Sequence, residues 1–445
     1  MKRVCCVGLG YIGLPTALIA AQHGHQVIGY DIDQDRVERI NRGDLIIQEP
    51  GLKEHLDNAR ASGLLHAVSS PTTADYFIIA VPTPFDENKK ADLHAVWSAV
   101  ERIAHVLTAG NTVIIESTIP VHTTHAVAHW LSQQTGLQLG TELFVAHCPE
   151  RVLPGNIMYE LVHNARIIGG VDRTSVEKAA NFYRTFVKGP LYLTTARAAE
   201  MVKLVENSYR DVAIAFANQV AAMATAAELN PFEIIELANK HPRVKILQPS
   251  CGVGGHCIAV DPWFLVHGFP LQSALLQTAR MINDAKPHTV VSSIRQWVQE
   301  WYERETRKPT ILLLGATYKA DVDDLRESPA LDIALQLTAQ TDIHTVVCEP
   351  HVSVKQLPTQ IQTKMVDYAQ GLAVADLVSI LVPHSQFVKP ASLTSTVSIM
   401  DWCGRWYTPK AAATAQEYLF WPASSTVLDS VSAPPSPAIM PLENY

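Results

Sequence analysis

The chain has 445 residues, 47% of them hydrophobic, enough for two or three packed domains. A formal charge of -8 provides no basic field for nucleic acid or an anionic membrane, so neither is expected as a partner and any anionic ligand must be held by local groups. Seven cysteines, an odd number scattered without metal-ligand spacing, argue against a disulfide framework, give no reason to expect a metal, and suit a reducing, cytoplasmic compartment.

The opening run, MKRVCCVGLGYIGLPTALIAA, mimics a signal peptide, but its three glycines and Pro15 argue against that reading. It is better read as a buried strand over 3–7, a glycine turn and a helix over about 12–23, with HQVIGYDID following as a second strand. Gly8, Gly10 and Gly13 form G-x-G-x-x-G at that strand-to-helix junction, and Asp31 closes the next strand about 20 residues later. The first glycine permits the turn, the second lets backbone approach a pyrophosphate, and the third lets helix pack against strand. Tyr11 and Ile12 lie in the same turn, where phosphate meets the positive end of the helix. Asp31 would accept from ribose hydroxyls and repel a 2'-phosphate, which favours NAD over NADP, although Arg36 lies close by. ADYFIIAVPTP (74–84) and NTVIIEST (111–118) are continuous apolar strands ending in polar turns, as in a parallel sheet covered on both faces. Ligands gather at such carboxyl ends, so Thr83, Glu116, Ser117 and Thr118 are expected near a nicotinamide.

An alanine-rich stretch over 196–229 carries apolar residues at helical spacing and is expected to end at Asn230-Pro231. Such a helix exceeds the needs of one domain and is expected to join two lobes and to pair with its copy in a homodimer. Lys203, Asn207 and Arg210 share one of its faces. CGVGGHCIAVDP (251–262) follows, with Cys257 after two glycines and a histidine. The chain then echoes its beginning: PTILLLGATYK (309–319) is a second strand and glycine turn, HTVVCEP (344–350) a second following strand, and ADLVSILVPH (375–384) matches ADYFIIAVPT. This second copy lacks the glycine fingerprint, so a nucleotide-linked substrate is its expected ligand. Residues 423–445 are rich in serine and proline and are predicted to be a disordered tail. The fold expected is α/β: two Rossmann-like doubly wound domains (1–195 and 301–422) joined through a central helical domain (196–300).

These stretches, with INRGD, VPTPF, CPERVLPG, HPRVKILQP and DDLRESPA, resemble the UDP-glucose/GDP-mannose dehydrogenase family over roughly residues 3–410. The resemblance implies four-electron oxidation of a sugar's primary alcohol to a carboxylate, with two NAD reduced per nucleotide sugar. UDP-N-acetyl-D-mannosamine is the implied substrate, its product a precursor of bacterial surface polysaccharide, and UDP-N-acetylglucosamine the competing one. By the same resemblance Cys257 is the catalytic thiol, Lys203 and Asn207 its partners on the long helix, and Asp261 the aspartate after the cysteine loop. Thr118 and Glu150 handle water and protons. Glu150, Arg151, Val152, Arg210, His241, Arg243, Gly254, Lys319 and Arg405 are implied substrate contacts, Arg243 from across the dimer, while Arg326 reaches the cofactor. One departure is PSCG at 249–252, where relatives carry PGPG, so Ser250 and Cys251 are expected to reshape the loop.

The chemistry accounts for these residue types. A thiol adds to the aldehyde to give a thiohemiacetal, which yields a second hydride and becomes a thioester that water cleaves. A free thiol of pKa about 8.5 is barely ionised at neutral pH, so Lys203 is expected to favour the thiolate. Lys203 and Asn207 would steady the oxyanion, where one donor is worth roughly 3 to 4 kcal/mol. Asp261 and Glu150 are both candidates for the base, and the sequence leaves that division open. A two-electron hydroxy-acid dehydrogenase is the rival from another reaction class.

Overall fold

The computed structural model describes residues 1–409 apart from 46, 48, 154, 392, 394 and 395. The segment 423–445, expected as a disordered tail, lies outside the described residues.

The first lobe is an eight-stranded sheet made of β1 (Arg3–Val7), β2 (Gln26–Tyr30), β3 (Leu65–Val68), β4 (Tyr76–Ile79), β5 (Asn111–Ile115), β6 (Leu143–His147), β7 (Arg166–Gly170) and β8 (Leu191–Thr195). Their spatial order is β3-β2-β1-β4-β5-β6-β7-β8. Pairing is parallel from β3 to β6; β7 then runs antiparallel to β6, with β8 parallel to β7. Successive residues of β1 enter opposite cores, Val4 and Cys6 packing with Leu14 and Leu18 on one face, Cys5 and Val7 with Phe77 and Ile115 on the other. Burial on both faces is why these strands read as unbroken apolar runs. The strand order reverses between β1 and β4, which opens a ligand crevice at their carboxyl ends.

The second lobe holds β9 (Thr310–Leu314), β10 (His344–Cys348), β11 (Leu377–Ile380) and β12 (Ser398–Asp401), all parallel, in the order β10-β9-β11-β12. That order reproduces β2-β1-β4-β5, so the echo between the ends of the sequence is an echo of topology.

Between the lobes runs the helix Ala196–Ala226, started by Thr195, whose hydroxyl accepts from the Ala198 amide. It ends at Ala226, about one turn short of the Asn230-Pro231 pair expected to end it. Asn230-Pro231 instead opens the next helix, Pro231–Ala238, because Asn230 Oδ1 accepts from the Phe232 amide at 3.0 Å and proline suits a first helical turn. A second long helix, Ala274–Tyr302, packs along the first and was not evident in the sequence, since Pro287 interrupts its pattern. A buried polar zipper joins the pair: Arg280 donates to Asp211 at 2.6 Å, Asn283 to Asp211 at 2.8 Å, and Asn218 to Asn283 at 3.1 Å. Asn218 Oδ1 also accepts from the Ser250 amide at 2.9 Å, which fixes the start of the cysteine loop on the helices. Among the described residues no helix is long and apolar enough to cross a membrane.

Candidate active site

The glycine turn between β1 and its helix has the shape that the fingerprint requires. Gly8 adopts φ +89°, and a Cβ there would lie 2.6 Å from the Ala80 carbonyl oxygen; one on Gly13 would lie 1.8 Å from the Gly8 oxygen. A Cβ on Gly10 would meet nothing within 4 Å, so open space lies over the turn. The following helix, Gly13–Gln22, has no side-chain cap, and its N-terminus faces that space; the Leu14 amide already donates to the Gly10 carbonyl at 3.2 Å and Pro15 carries no amide hydrogen. Asp31 is buried and accepts from the Leu9 amide at 2.8 Å and from Arg36 at 3.1 Å. Arg36 therefore pairs with the acid that would hold the ribose. A dinucleotide fits this cradle: Gly10 leaves room for the pyrophosphate at the positive end of the helix, and Asp31 supplies the acceptor.

Thr83 and Thr118 follow β4 and β5 and are half-buried. Glu116 and Ser117, expected near a nicotinamide, are turned into the protein. Glu116 is fully buried, accepts from Thr16 at 3.1 Å and Tyr183 at 2.7 Å, and burial raises its carboxyl to about 7. The Ser117 hydroxyl donates to the Val81 carbonyl at 2.7 Å, bracing the turn after β4.

Cys257 lies in a turn that leads directly into the helix Asp261–Gly268, and its carbonyl accepts from the Asp261 amide at 2.8 Å. Leu204 of the long helix packs on Val260, Phe264 and Leu265, which seats that short helix one turn below Asn207. Asn207 then donates to Asp261 Oδ2 at 2.5 Å. Burial raises the Asp261 carboxyl to about 6, against the charge of Lys203 and the Asn207 hydrogen bond, both of which lower it. Burial also raises the Cys257 thiol to about 11, with the Asp261 charge acting in the same direction. Lys203 and Arg326 pull it down, as expected of Lys203, but burial outweighs them, so the thiol keeps its proton at neutral pH.

The second lobe closes the cysteine loop from the other side. The Gly255 amide donates to the Arg326 carbonyl at 3.1 Å, and a Cβ on Gly254 would lie 2.4 Å from the Glu327 oxygen. Gly252 and Gly255 take positive φ, +141° and +78°, whereas Ser250 and Cys251 do not. Serine and cysteine thus fit without needing the freedom of glycine. Cys251 is buried against the second lobe, its thiol 3.3 Å from the Leu381 carbonyl. Arg326 is clamped by Asp324 at 2.6 Å and lies 5.2 Å over the ring of Tyr11, so the segment carrying Lys319 reaches the cofactor turn. Tyr318 was missed in the sequence: its Cβ crowds the position of Gly254 and its ring that of Gly255, and only its place beside Lys319 marked it.

Other implied contacts are less direct. Glu150 is buried and paired with Arg166 at 2.8 Å, and it accepts from the Arg151 amide at 2.6 Å. The Arg151 guanidinium pairs with Glu206 at 2.6 Å, and Val152 packs on the first core, so both side chains are engaged with protein. The Arg405 guanidinium donates to the carbonyls of Phe387 at 2.9 Å and Ser385 at 2.5 Å, bracing the loop after β11. Arg210, His241 and Arg243 are exposed, and within one chain no ion pair among the described residues engages them. The long helix also carries exposed apolar residues at heptad-like spacing, Val205, Tyr209, Phe216 and Met223.

Comparison with known proteins accords with this arrangement. Three models of the UDP-glucose/GDP-mannose dehydrogenase family match in sequence order: the NAD binding domain at residues 2–187, the central domain at 197–285 and the UDP binding domain at 312–403. The chain is 47% identical over 403 residues to a UDP-N-acetyl-D-mannosamine dehydrogenase of Campylobacter jejuni, covering 88% of this chain and 97% of the relative. It is 46% identical over 423 residues to an NDP-N-acetyl-D-galactosaminuronic acid dehydrogenase of Ralstonia nicotianae, covering 93% and 98%. A solved UDP-N-acetyl-mannosamine dehydrogenase from Staphylococcus aureus superposes with a TM-score of 0.82 at 40% identity, over 92% of this chain and 96% of that one.

Proposed function

Since the chain belongs to the UDP-glucose/GDP-mannose dehydrogenase family and is an NAD-dependent nucleotide-sugar dehydrogenase, we propose that it oxidises UDP-N-acetyl-D-mannosamine to UDP-N-acetyl-D-mannosaminuronate. Such a uronate would serve as a precursor of surface polysaccharide. The observation that carries the covalent route is the cluster at the end of the cysteine loop, where Cys257 precedes Asp261 by one turn and Asp261 is tied to Asn207 on the helix of Lys203. The primary alcohol gives up a hydride and a proton; the Cys257 sulfur, losing its proton to a base, adds to the resulting aldehyde; the thiohemiacetal gives up a second hydride and its hydroxyl proton to become a thioester; water displaces the sulfur, and the carboxylate and thiol are released, with two NAD in turn supplying the hydride acceptor when bound.

The protonated resting thiol requires a base before attack. Asp261, with a carboxyl near 6, is ionised at neutral pH yet close enough to it to exchange a proton, and we assign it that role. Lys203 stabilises the sulfur and oxygen anions as they form, which lowers the thiol when substrate is seated. Glu150, held by Arg166, positions the segment 150–152 beside the sugar. Arg210 and Arg243 act from the exposed side, where the row from Val205 to Met223 would pack on a second copy and bring its Arg243 to the site. The likeness to a galactosaminuronate enzyme supports a second reading within the same acetamido-sugar class.

The test is NADH formation with UDP-N-acetylmannosamine, UDP-N-acetylglucosamine, UDP-N-acetylgalactosamine, UDP-glucose and GDP-mannose, paired with intact mass of Cys257→Ser. UDP-N-acetylmannosamine is expected to give two NADH per sugar, and the serine variant to retain a sugar ester at residue 257. One NADH per sugar, or preference for UDP-glucose or GDP-mannose, would overturn the assignment.

A further inference from the structure

The loops that follow β9, β10 and β11 each bring one metal-ligating side chain to a single point at the carboxyl edge of the second sheet. Asp321 comes from the first, His351 from the second and His384 from the third. One ligand atom from each lies within 4.8 Å of the other two. His351 Nε2 is 3.3 Å from Asp321 Oδ1, and His384 Nδ1 is 3.7 Å from the same oxygen. Ligands about 2.0 to 2.2 Å from a tetrahedral zinc are separated from each other by about 3.3 to 3.6 Å, so these spacings suit one ion.

Proton positions on His384 follow from its neighbours. Its Nε2 is 3.1 Å from Glu349 Oε2 and 3.3 Å from the Thr317 hydroxyl, which itself donates to the Lys319 carbonyl at 2.8 Å. Both partners therefore accept, Nε2 carries the proton, and Nδ1 is the acceptor on the cluster side. A carboxylate behind the far nitrogen of a ligating histidine is the arrangement that orients such ligands. His351 Nε2 is buried and has no hydrogen-bond partner among the described residues. The Asp321 carboxylate is aimed by the amide and hydroxyl of Ser385, at 2.8 and 3.1 Å, and its residue holds φ +58°. The Asp321 amide donates to His384 Nδ1 at 3.0 Å, a bond that an ion would replace.

We infer that Asp321, His351 and His384 form a binding site for a zinc-type divalent cation, with the fourth position open to water on the exposed side of Asp321. The ion would tie three neighbouring loops together and fix the segment from Thr317 to Ser328, which carries Lys319 and Arg326 toward the cysteine loop. Its role is structural and does not depend on which sugar is oxidised.

The full-length protein, stripped with a chelator, is titrated with Co²⁺ as a visible probe and then with Zn²⁺. One equivalent of Co²⁺ is expected to give the absorption of a tetrahedral nitrogen and oxygen site, displaced by Zn²⁺. Glu349→Gln should weaken binding about 10- to 100-fold. His351→Ala and Asp321→Asn should each abolish it while melting like the wild type in chelator, and Cys257→Ser should leave it unchanged. Absence of saturable binding would overturn the proposal. So would binding that survives both His351→Ala and Asp321→Asn, or a thiolate charge-transfer band that disappears with Cys257.

Discussion

In the first lobe Gly8 turns the chain at φ +89°, its amide donates to the Tyr30 carbonyl at 2.8 Å, and the Leu9 amide donates to Asp31 at 2.8 Å. In the second, Gly315 turns at φ +96°, its amide donates to the Cys348 carbonyl at 2.9 Å, and the Ala316 amide donates to Glu349 at 2.7 Å. Each acid also accepts from the amide two residues on, that of Asp33 at 2.9 Å and of His351 at 2.8 Å. The turns match bond for bond, and the lobes diverge immediately after them. The first enters its helix at Gly13 with no side-chain cap and open space above Gly10. The second makes an excursion over 317–328 before a helix whose start is closed by Ser328, which accepts from the Leu331 amide at 3.3 Å. His384 covers Glu349 where ribose would meet Asp31. One turn thus serves two ends: left open it receives a dinucleotide, and filled by side chains it becomes a base from which the excursion reaches the active site.

Closing the open turn should have the largest effect. Gly13→Val places a side chain where even a Cβ would be 1.8 Å from the Gly8 oxygen, so the helix must separate from the strand. A loss of at least about 3 kcal/mol in denaturant unfolding is expected, together with loss of NAD binding. Wild-type stability would show that the turn is looser than its contacts imply.

Exchanging the two acids separates ligand binding from folding. Glu349→Ala strands the amides of Ala316 and His351 and should cost about 2 to 4 kcal/mol, with the KM for NAD little changed. Asp31→Ala should raise that KM about tenfold or more. The acids also differ in acid response. Burial pushes the Glu349 carboxyl up, yet the hydrogen bond from His384 and those from the amides of Ala316 and His351 outweigh it and hold it below the usual carboxylate value. A depressed carboxyl contributes stability above its unfolded pKa and loses it as pH falls through the folded one. The melting temperature of the wild type should therefore fall below about pH 4.5 more steeply than that of Glu349→Gln. Parallel curves would remove Glu349 from the acid response.

Gly10→Ala is the mildest change. Its added methyl meets nothing, so unfolding should stay within about 0.5 kcal/mol of wild type, while NAD affinity measured by calorimetry falls several-fold because the methyl occupies the phosphate's space. Unchanged affinity would place the pyrophosphate elsewhere.

The sequence by itself determined what short-range chemistry controls. Apolar runs made β1, β4, β5, β9 and β11, three spaced glycines made the cofactor turn, and the echo of ADYFIIAVPT in ADLVSILVPH foretold the shared topology. Cys257, Asp261 and Asn207 were named before the fold joined them, because their flanking residues form a dense family pattern. Tertiary structure decided the rest. Whether Glu150 and Arg405 face a ligand or a protein partner depends on Arg166 and on the Phe387 and Ser385 carbonyls, which are brought to them from elsewhere in the chain. The second long helix was hidden because its stability comes from packing on the first, around an ion pair between residues 211 and 280, more than from an unbroken apolar stripe. Asp321, His351 and His384 show no ligand spacing in the sequence, since a parallel sheet gathers the ends of strands that the chain keeps a helix apart. Burial set the proton on Cys257 for the same reason: solvent exclusion belongs to the whole packed loop, and no single residue encodes it.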